Sequence, residues 1–254
     1  MISKKFNLSL KHRIGDFKKI IEVDPDKSIS IRSFIVGAIS ENLSYIKNVL
    51  ESEDVLSTIN CLRKLGVKIK KIKPKNYLIY GKGLGSLHAK KNTFLNFGNS
   101  GTLARLLIGV LSTTPNIEVK MQGDKSLNKR SMKKLIEIIS NFGASILPRN
   151  KFNFPLKLIS SEMPIGIKYT AGVSAQLKSA TILAGLNSFG TTSIVERKMS
   201  RDHTEKMLLQ NRDVIKVKNQ KKKLIEVTGK KTLKSINLDI PSDPSSAAFF
   251  TALT

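Results

Sequence analysis

The residues best suited to chemistry in this chain are cations and hydroxyls placed where apolar helical runs begin. Asp26-Lys27-Ser28-Ile29-Ser30-Ile31-Arg32 leads into Ile31, Phe34, Ile35, Ala38 and Ile39, the i, i+3, i+4, i+7, i+8 stripe of a half-buried helix. Ser28 or Ser30 supplies the N-cap, Lys27 stands just before the helix, and Arg32 follows about one turn inside it, so both cations reach one ligand. A helix N-terminus offers free N–H groups and the positive end of a dipole, so two added cations make a receptor for phosphate or carboxylate. Taken alone, the stretch reads equally well as a capped helix with two solvated charges.

The same device recurs. Asn99-Ser100-Gly101-Thr102 opens the run Leu103 to Leu111, which holds one cation, Arg105. Val173-Ser174-Ala175-Gln176 opens Leu177 to Leu186, which holds Lys178, and Pro244-Ser245-Ser246 opens a fourth run. Ser28, Ser100, Ser174 and Ser246 follow one another at nearly equal intervals, and a fixed period marks a repeated supersecondary unit.

The elements that must position these openings follow the same period. Helices end at Leu65-Gly66 and Phe142-Gly143, each followed by a strand, with a degraded copy near Arg212-Asp213. Each unit therefore reads strand, helix, strand, helix, strands. The first begins with a strand at 20–23, and a strand at 236–240 precedes the fourth opening. Phe6, Leu8 and Leu10 suggest a further short strand near the start. Arg130 and Arg201 stand at the entrances of the second helices of their units, and His203, also at a helix start, reads as a surface residue. Gly81, Gly83 and Gly85 form GxGxG after a strand but do not open a helix, so no dinucleotide site is expected there. Stacked in one sense, the units gather Lys27, Ser28, Arg32, Ser100, Gly101, Arg105, Arg130, Ser174, Gln176 and Arg201 on one face. Such a face binds an anionic, multiply oxygenated small molecule and looks like half of a site.

Composition narrows the classes. No apolar stretch reaches the ~18 residues of a membrane span, and Met1-Ile2-Ser3-Lys4-Lys5 lacks a signal-peptide core. The lone cysteine, Cys61, rules out an internal disulfide, fits the cytoplasm and falls on an apolar helix side as core. No zinc-like Cys/His spacing exists, and no metal is expected. The net charge of +25 admits a nucleic-acid partner, but the lysines are scattered and aromatic residues are 6%, so a solvated basic surface is the preferred reading. The chain stops at Thr254 inside an expected helix, which suggests a truncated protein.

Six motifs in order resemble the 5-enolpyruvylshikimate-3-phosphate synthase (3-phosphoshikimate 1-carboxyvinyltransferase) family. They are residues 26–32, Asn99-Ser100-Gly101-Thr102-Leu103-Ala104-Arg105, the stretch from Gly123-Asp124 to Arg130, Ser174-Ala175-Gln176-Leu177-Lys178, Ser200-Arg201-Asp202-His203-Thr204-Glu205-Lys206-Met207 and Pro241-Ser242-Asp243-Pro244. The Ser-Ala-Gln and Arg-Asp-His forms resemble the second of the family's two main sequence types. The resemblance implies an α/β fold of βαβαββ units with approximate threefold symmetry. It assigns 21–240 to one three-unit domain, and 1–20 and 241–254 to an incomplete second domain. It implies transfer of enolpyruvyl from phosphoenolpyruvate to the 5-hydroxyl of shikimate 3-phosphate, on the way to chorismate and the aromatic amino acids. It implies no metal or organic cofactor, no nucleic-acid or membrane partner, and a monomer at full length. By motif, Lys27, Ser28, Arg32, Ser174 and Gln176 would hold shikimate 3-phosphate, with Ser200 and Arg201 near its phosphate. Lys27, Gly101, Arg130 and Gln176 would hold phosphoenolpyruvate, and Lys27 would also serve catalysis. The family's catalytic Asp and Glu fall beyond residue 254, so this chain alone is not expected to turn over. Gly101 implies that the complete enzyme is sensitive to glyphosate. UDP-N-acetylglucosamine enolpyruvyl transferase is the near rival, but it uses a loop cysteine and Cys61 is misplaced for that role.

Overall fold

The computed structural model describes residues 20–219 and 222–252; the strand expected near residues 6–10 lies outside them. The first unit runs α1 (Lys27–Ile39), β1 (Leu43–Lys47), α2 (Glu53–Lys64), β2 (Lys68–Lys73) and β3 (Asn76–Tyr80). The second runs β4 (Phe94–Asn96), α3 (Gly101–Ser112), β5 (Glu118–Gln122), a 3-10 turn at Leu127–Lys129, α4 (Lys133–Asn141), β6 (Ser145–Leu147) and β7 (Leu156–Ile159). The third runs β8 (Lys168–Ala171), α5 (Ala175–Leu186), β9 (Thr191–Glu196), α6 (His203–Leu208), β10 (Ile215–Asn219) and β11 (Lys223–Thr228). After it come β12 (Asn237–Asp239) and α7 (Pro244–Thr251).

Three four-stranded sheets share one plan. Their orders are β12-β1-β3-β2, β4-β5-β7-β6 and β8-β9-β11-β10. In each, the outer strand is parallel to its neighbour: Tyr45 pairs with Asn237, Leu95 with Met121 and Tyr169 with Ile194. The sheets therefore repeat the βαβαββ unit, with one correction. Residues 20–23 form no strand, and the first strand of the first unit is β12, which arrives from the far end of the chain. The edge of β1 is already filled by β12, which leaves Ile20 fully exposed. Chain entry and exit run side by side, with Asp26 N donating to Pro241 O and Asp243 N donating to Asp24 O at 2.8 and 2.9 Å.

The central helices α1, α3 and α5 are enclosed. Ser30 to Ile39 of α1, all of α3 except Arg105, and Leu177 to Leu186 of α5 are buried. So α1 is buried all round, not half-buried as its stripe suggests. Its serines bond back into their own helix: Ser30 Oγ donates to Asp26 O and Ser33 Oγ to Ser30 O. Once those hydroxyls are satisfied, burial leaves no orphan polar group. The outer helices bury one face each, α2 through Val55, Ile59, Cys61 and Leu62, and α4 through Leu135, Ile138 and Ile139. Burial pushes the Cys61 thiol up to about 12, as befits core. Gly109 lets α3 and α5 touch, since a Cβ there would stand 2.6 Å from Ala180 O.

The caps differ in part from expectation. Ser100 and Ser174 accept from Leu103 N and Leu177 N, both at 3.3 Å. The N-cap of α1, however, is Asp26, whose Oδ1 accepts from Ile29 N at 2.7 Å, and Ser28 lies inside the first turn. A carboxylate gives a stronger, charge-assisted bond to the free N–H groups than a hydroxyl does. Asp243 likewise caps α7, none of whose residues is buried. The GxGxG segment closes the other end of α1: Lys82 N donates to Ala38 O and Gly83 N to Ser40 O, both at 2.9 Å. Surplus lysines decorate the edge strand β2, where Lys68, Lys70, Lys71 and Lys73 are exposed. Charged side chains on an edge discourage pairing with other chains.

Candidate functional site

The N-termini of α1, α3 and α5 converge on a cavity of about 270 Å³ lined by Lys27, Asp54, Asn99, Gly101, Thr102, Arg130 and Gln176. Lys27 contributes from the first turn of α1, with Nζ 3.1 Å from Asp54 Oδ2 in α2. That ion pair is half exposed on the Lys27 side, so solvent screens it and a ligand can displace it at small cost. Arg130, just after the 3-10 turn, donates to Asn99 Oδ1 at 3.0 Å. Arg105 donates to Gly101 O at 3.1 Å and to Gln176 Oε1 at 3.0 Å, and Gln176 Nε2 donates to Thr102 Oγ1 at 2.9 Å. The Gln176 amide is thus fixed in one orientation by two side chains of α3. Burial, and then the neighbouring Arg130 charge, lower the pKa of Arg105. A Cβ on Gly101 would meet Arg105 Nη1 at 2.8 Å and Arg130 Nη1 at 3.3 Å, so only glycine leaves both guanidinium groups in place.

A second cluster lies beside this cavity and is packed differently. Arg32 is 3% exposed. Its Nε donates to Thr204 Oγ1 at 3.0 Å, Nη1 to Ser28 O at 3.0 Å and Nη2 to Ser179 Oγ at 3.4 Å. Burial lowers its pKa to about 10, opposed by the charges of Asp26 and Glu205 and reinforced by Arg201. Arg201 is exposed and donates to Ser245 Oγ at 3.0 Å. Ser200 gives both its N–H and its O–H to Glu196 Oε1, at 2.8 and 2.6 Å. His203 is partly buried, and burial and then the Arg32 charge lower its pKa. Among the described residues no three His, Cys, Asp or Glu side chains group as a metal site, and no helix is long and apolar enough to cross a membrane.

A family profile described as EPSP synthase (3-phosphoshikimate 1-carboxyvinyltransferase) matches residues 11–254. The chain belongs to the EPSP synthase family. It is 40% identical over 248 residues to the 3-phosphoshikimate 1-carboxyvinyltransferase of Syntrophomonas wolfei, covering 97% of this chain and 56% of that protein. It is 42% identical over 245 residues to the one from Bacillus velezensis, covering 95% and 55%. The solved EPSP synthase of Acinetobacter baumannii superposes with a TM-score of 0.81 at 39% identity, covering 91% of this chain and 51% of that one. The chain therefore spans about half the length of the relatives it matches.

On this EPSP synthase scaffold, Lys27, Gly101, Arg130 and Gln176 line one cavity. Lys27 and Arg32 are packed differently: Lys27 lines the cavity, while Arg32, 3% exposed, donates to groups of three helices, its own included. The helical period explains the split, since residues five apart lie more than a full turn apart along α1 and face different neighbours. Lys178, which reads as a solitary cation at a helix opening, is fully buried in ion pairs with Glu196 and Glu205. Sequence reasoning passed over Thr102, Asp54 and Thr204. Thr102 and Thr204 sit inside quoted motifs, and Asp54 sits in the first turn of α2, so position alone could have raised them.

Proposed function

We propose that the chain supplies one wall of the site that transfers enolpyruvyl from phosphoenolpyruvate to the 5-hydroxyl of shikimate 3-phosphate, releasing phosphate. The convergence of Lys27, Gly101, Arg130 and Gln176 on one cavity carries this reading. In it, Lys27, Arg130, the Gly101 backbone and Gln176 hold phosphoenolpyruvate. Lys27, Ser28, Ser174, Gln176, Arg32 and Arg201 hold shikimate 3-phosphate, with Ser200 next to them. Two polyanions repel at close range, and fixed cations at helix N-termini offset that repulsion before reaction. The same groups stabilise the negative charge that gathers on the departing phosphate, and Lys27 can hand it a proton. Arg130 offers a planar fork for a carboxylate or phosphate, whereas Lys27 is a mobile point charge. We assign residues 21–240 to one three-unit domain, and 1–20 and 241–254 to a second. The exposed α7 and the side-by-side entry and exit segments support that division. We also assign the protein to the cytoplasm and to aromatic amino-acid biosynthesis. A methyl on Gly101 would press on both guanidinium groups, which supports the expected glyphosate sensitivity of the complete enzyme.

The test is titration of the chain with each substrate, followed by calorimetry and by backbone amide shifts. Saturable responses confined to residues 26–32, 99–105, 126–131 and 173–178 are expected. Arg130→Met should weaken the phosphoenolpyruvate response at least tenfold, in line with loss of a charge-assisted bond pair. Absence of any saturable response to either compound at millimolar concentration overturns the assignment.

A further inference from the structure

Four charged side chains stand behind the Ser200–Arg201 segment and have no place in the function just given. Lys178 of α5 is fully buried, with Nζ 2.8 Å from Glu196 Oε1 of β9 and 2.7 Å from Glu205 Oε1 of α6. Lys223 of β11 completes the set, 3.6 Å from Glu196 Oε2 and 3.5 Å from Glu205 Oε1. The set has two charges of each sign on four different elements. Burial raises the pKa of Glu196, but hydrogen bonds from Lys178 and Ser200 outweigh it and hold the carboxyl below its ordinary range. A buried ionic group of this kind is a poor source of stability, because desolvation cancels most of the attraction. Its use must lie in what it fixes.

Its connections lead to the two arginines of the second cluster. Glu196 Oε1 takes both donors of Ser200, and Arg201 is the next residue. Glu205 adjoins Thr204, whose Oγ1 accepts from Arg32 Nε and donates to Ser179 Oγ. Ser179 in turn adjoins Lys178 and accepts from Arg32 Nη2. Arg201 is thus one residue from a side chain bonded to the quartet, and Arg32 donates to two hydroxyls, Thr204 and Ser179, that are each one residue from a member of it. We propose that the Lys178–Glu196–Glu205–Lys223 quartet is a positioning device that sets Arg32 and Arg201 for the shikimate phosphate, with Ser200 as its anchor rather than a ligand. The identity of the ligand rests on the function proposed above; the positioning itself does not. No residue of the quartet touches substrate. The quartet orders in advance a segment that would otherwise lose entropy on binding.

The deciding variant is the double substitution Lys178→Met with Glu196→Met. It removes one charge of each sign, leaves Glu205 beside Lys223 and fills the space with apolar groups, a change that buried ion pairs tolerate. Its thermal midpoint is expected to match or exceed that of the parent chain. Amide hydrogen exchange at 197–203 is expected to rise at least tenfold, and the dissociation constant for shikimate 3-phosphate to rise about tenfold. Phosphoenolpyruvate affinity, set by Lys27, Gly101 and Arg130, should not move. Ser200→Ala, which leaves the quartet intact, should raise local exchange and weaken shikimate 3-phosphate by no more than about threefold. A folded double variant with parental exchange or parental affinity overturns the proposal. So does an equal loss for both substrates, or a Ser200→Ala loss as large as that of the double variant. If the parent chain does not bind shikimate 3-phosphate, the functional reading fails, and hydrogen exchange, which needs no ligand, still decides whether the quartet holds the segment.

Discussion

Lys27 and Arg32 come from one helix, five residues apart, yet they meet opposite conditions. Lys27 is half exposed and keeps a single screened ion pair to Asp54. Arg32 is 3% exposed and donates hydrogen bonds to side chains or carbonyls of three helices. The surroundings of the two cations follow suit: an open cavity faces Lys27, Arg130 and Gln176, while a closed ionic and hydroxyl network surrounds Arg32, Thr204 and Lys178. A charge at a helix start is therefore not one device but two. In water it can exchange its partner for a ligand at a cost of about 1 kcal/mol or less. In the interior the same charge is fixed, and the structure around it is fixed with it. The open wall is built to change partners, and the ion pairs of Lys178 behind the other wall to keep theirs.

The sharpest way to break this contrast is Lys178→Met alone. It leaves the carboxylates of Glu196 and Glu205 buried with Lys223 as their one cation among the described residues. Removing one member of a buried pair costs about 3–5 kcal/mol, and urea unfolding should show a loss of that size. A loss under about 1 kcal/mol would mean that water reaches the cluster and that the buried wall is not dry. Adding Glu196→Met should then restore most of the stability, which a merely disruptive cavity would not allow.

Lys27→Met should show the reverse pattern. Stability should change by less than about 1 kcal/mol, because only an exposed pair is lost. Phosphoenolpyruvate binding, measured by calorimetry, should fall by roughly ten- to a hundredfold, the range for a lost hydrogen bond to a charged group. If Lys27→Met destabilises the fold more than Lys178→Met does, the assignment of roles to the two walls is inverted.

What could be read from the sequence was whatever repeats locally. The helix openings at Ser100 and Ser174, the glycine caps at Gly66 and Gly143 and the three-unit plan all follow from short-range spacing, and all appear in the structure. What could not be read depends on distant partners. Residues 20–23 look as apolar as a strand, but a strand needs a free edge, and β12 takes the edge of β1. Ser30 and Ser33 look like a polar face, but their hydroxyls turn inward to the helix backbone and permit full burial. Lys178 looks like Arg105 by position, yet its acidic partners come from the next strand and the next helix. Lys27, Gly101, Arg130 and Gln176 of the cavity were legible because motifs carry them, and Asp54, which no motif carries, was not. Burial was not, because a motif states which residue is present and not what packs over it.

The smallest expected effect concerns His203, at the border of the two walls. Its Nδ1 is buried without a hydrogen-bond partner among the described residues. Burial and the charges of Arg32 and Arg201 lower its pKa from 6.5, while Asp26 and Asp202 oppose the shift. The folded chain therefore holds it neutral under conditions where the unfolded chain would protonate it. Between the lowered value and 6.5 the unfolded state binds more protons, so stability rises with pH across that window. Its contribution is complete above the unfolded value and is lost as pH falls through the folded one. Partial exposure screens the effect, so it should appear as a slope in stability just below about pH 6.5 rather than as a collapse. His203→Asn should flatten that slope while leaving stability at pH 8 nearly unchanged. An unaltered slope would mean that burial and the charges of Arg32 and Arg201 do not hold His203 neutral in the folded chain.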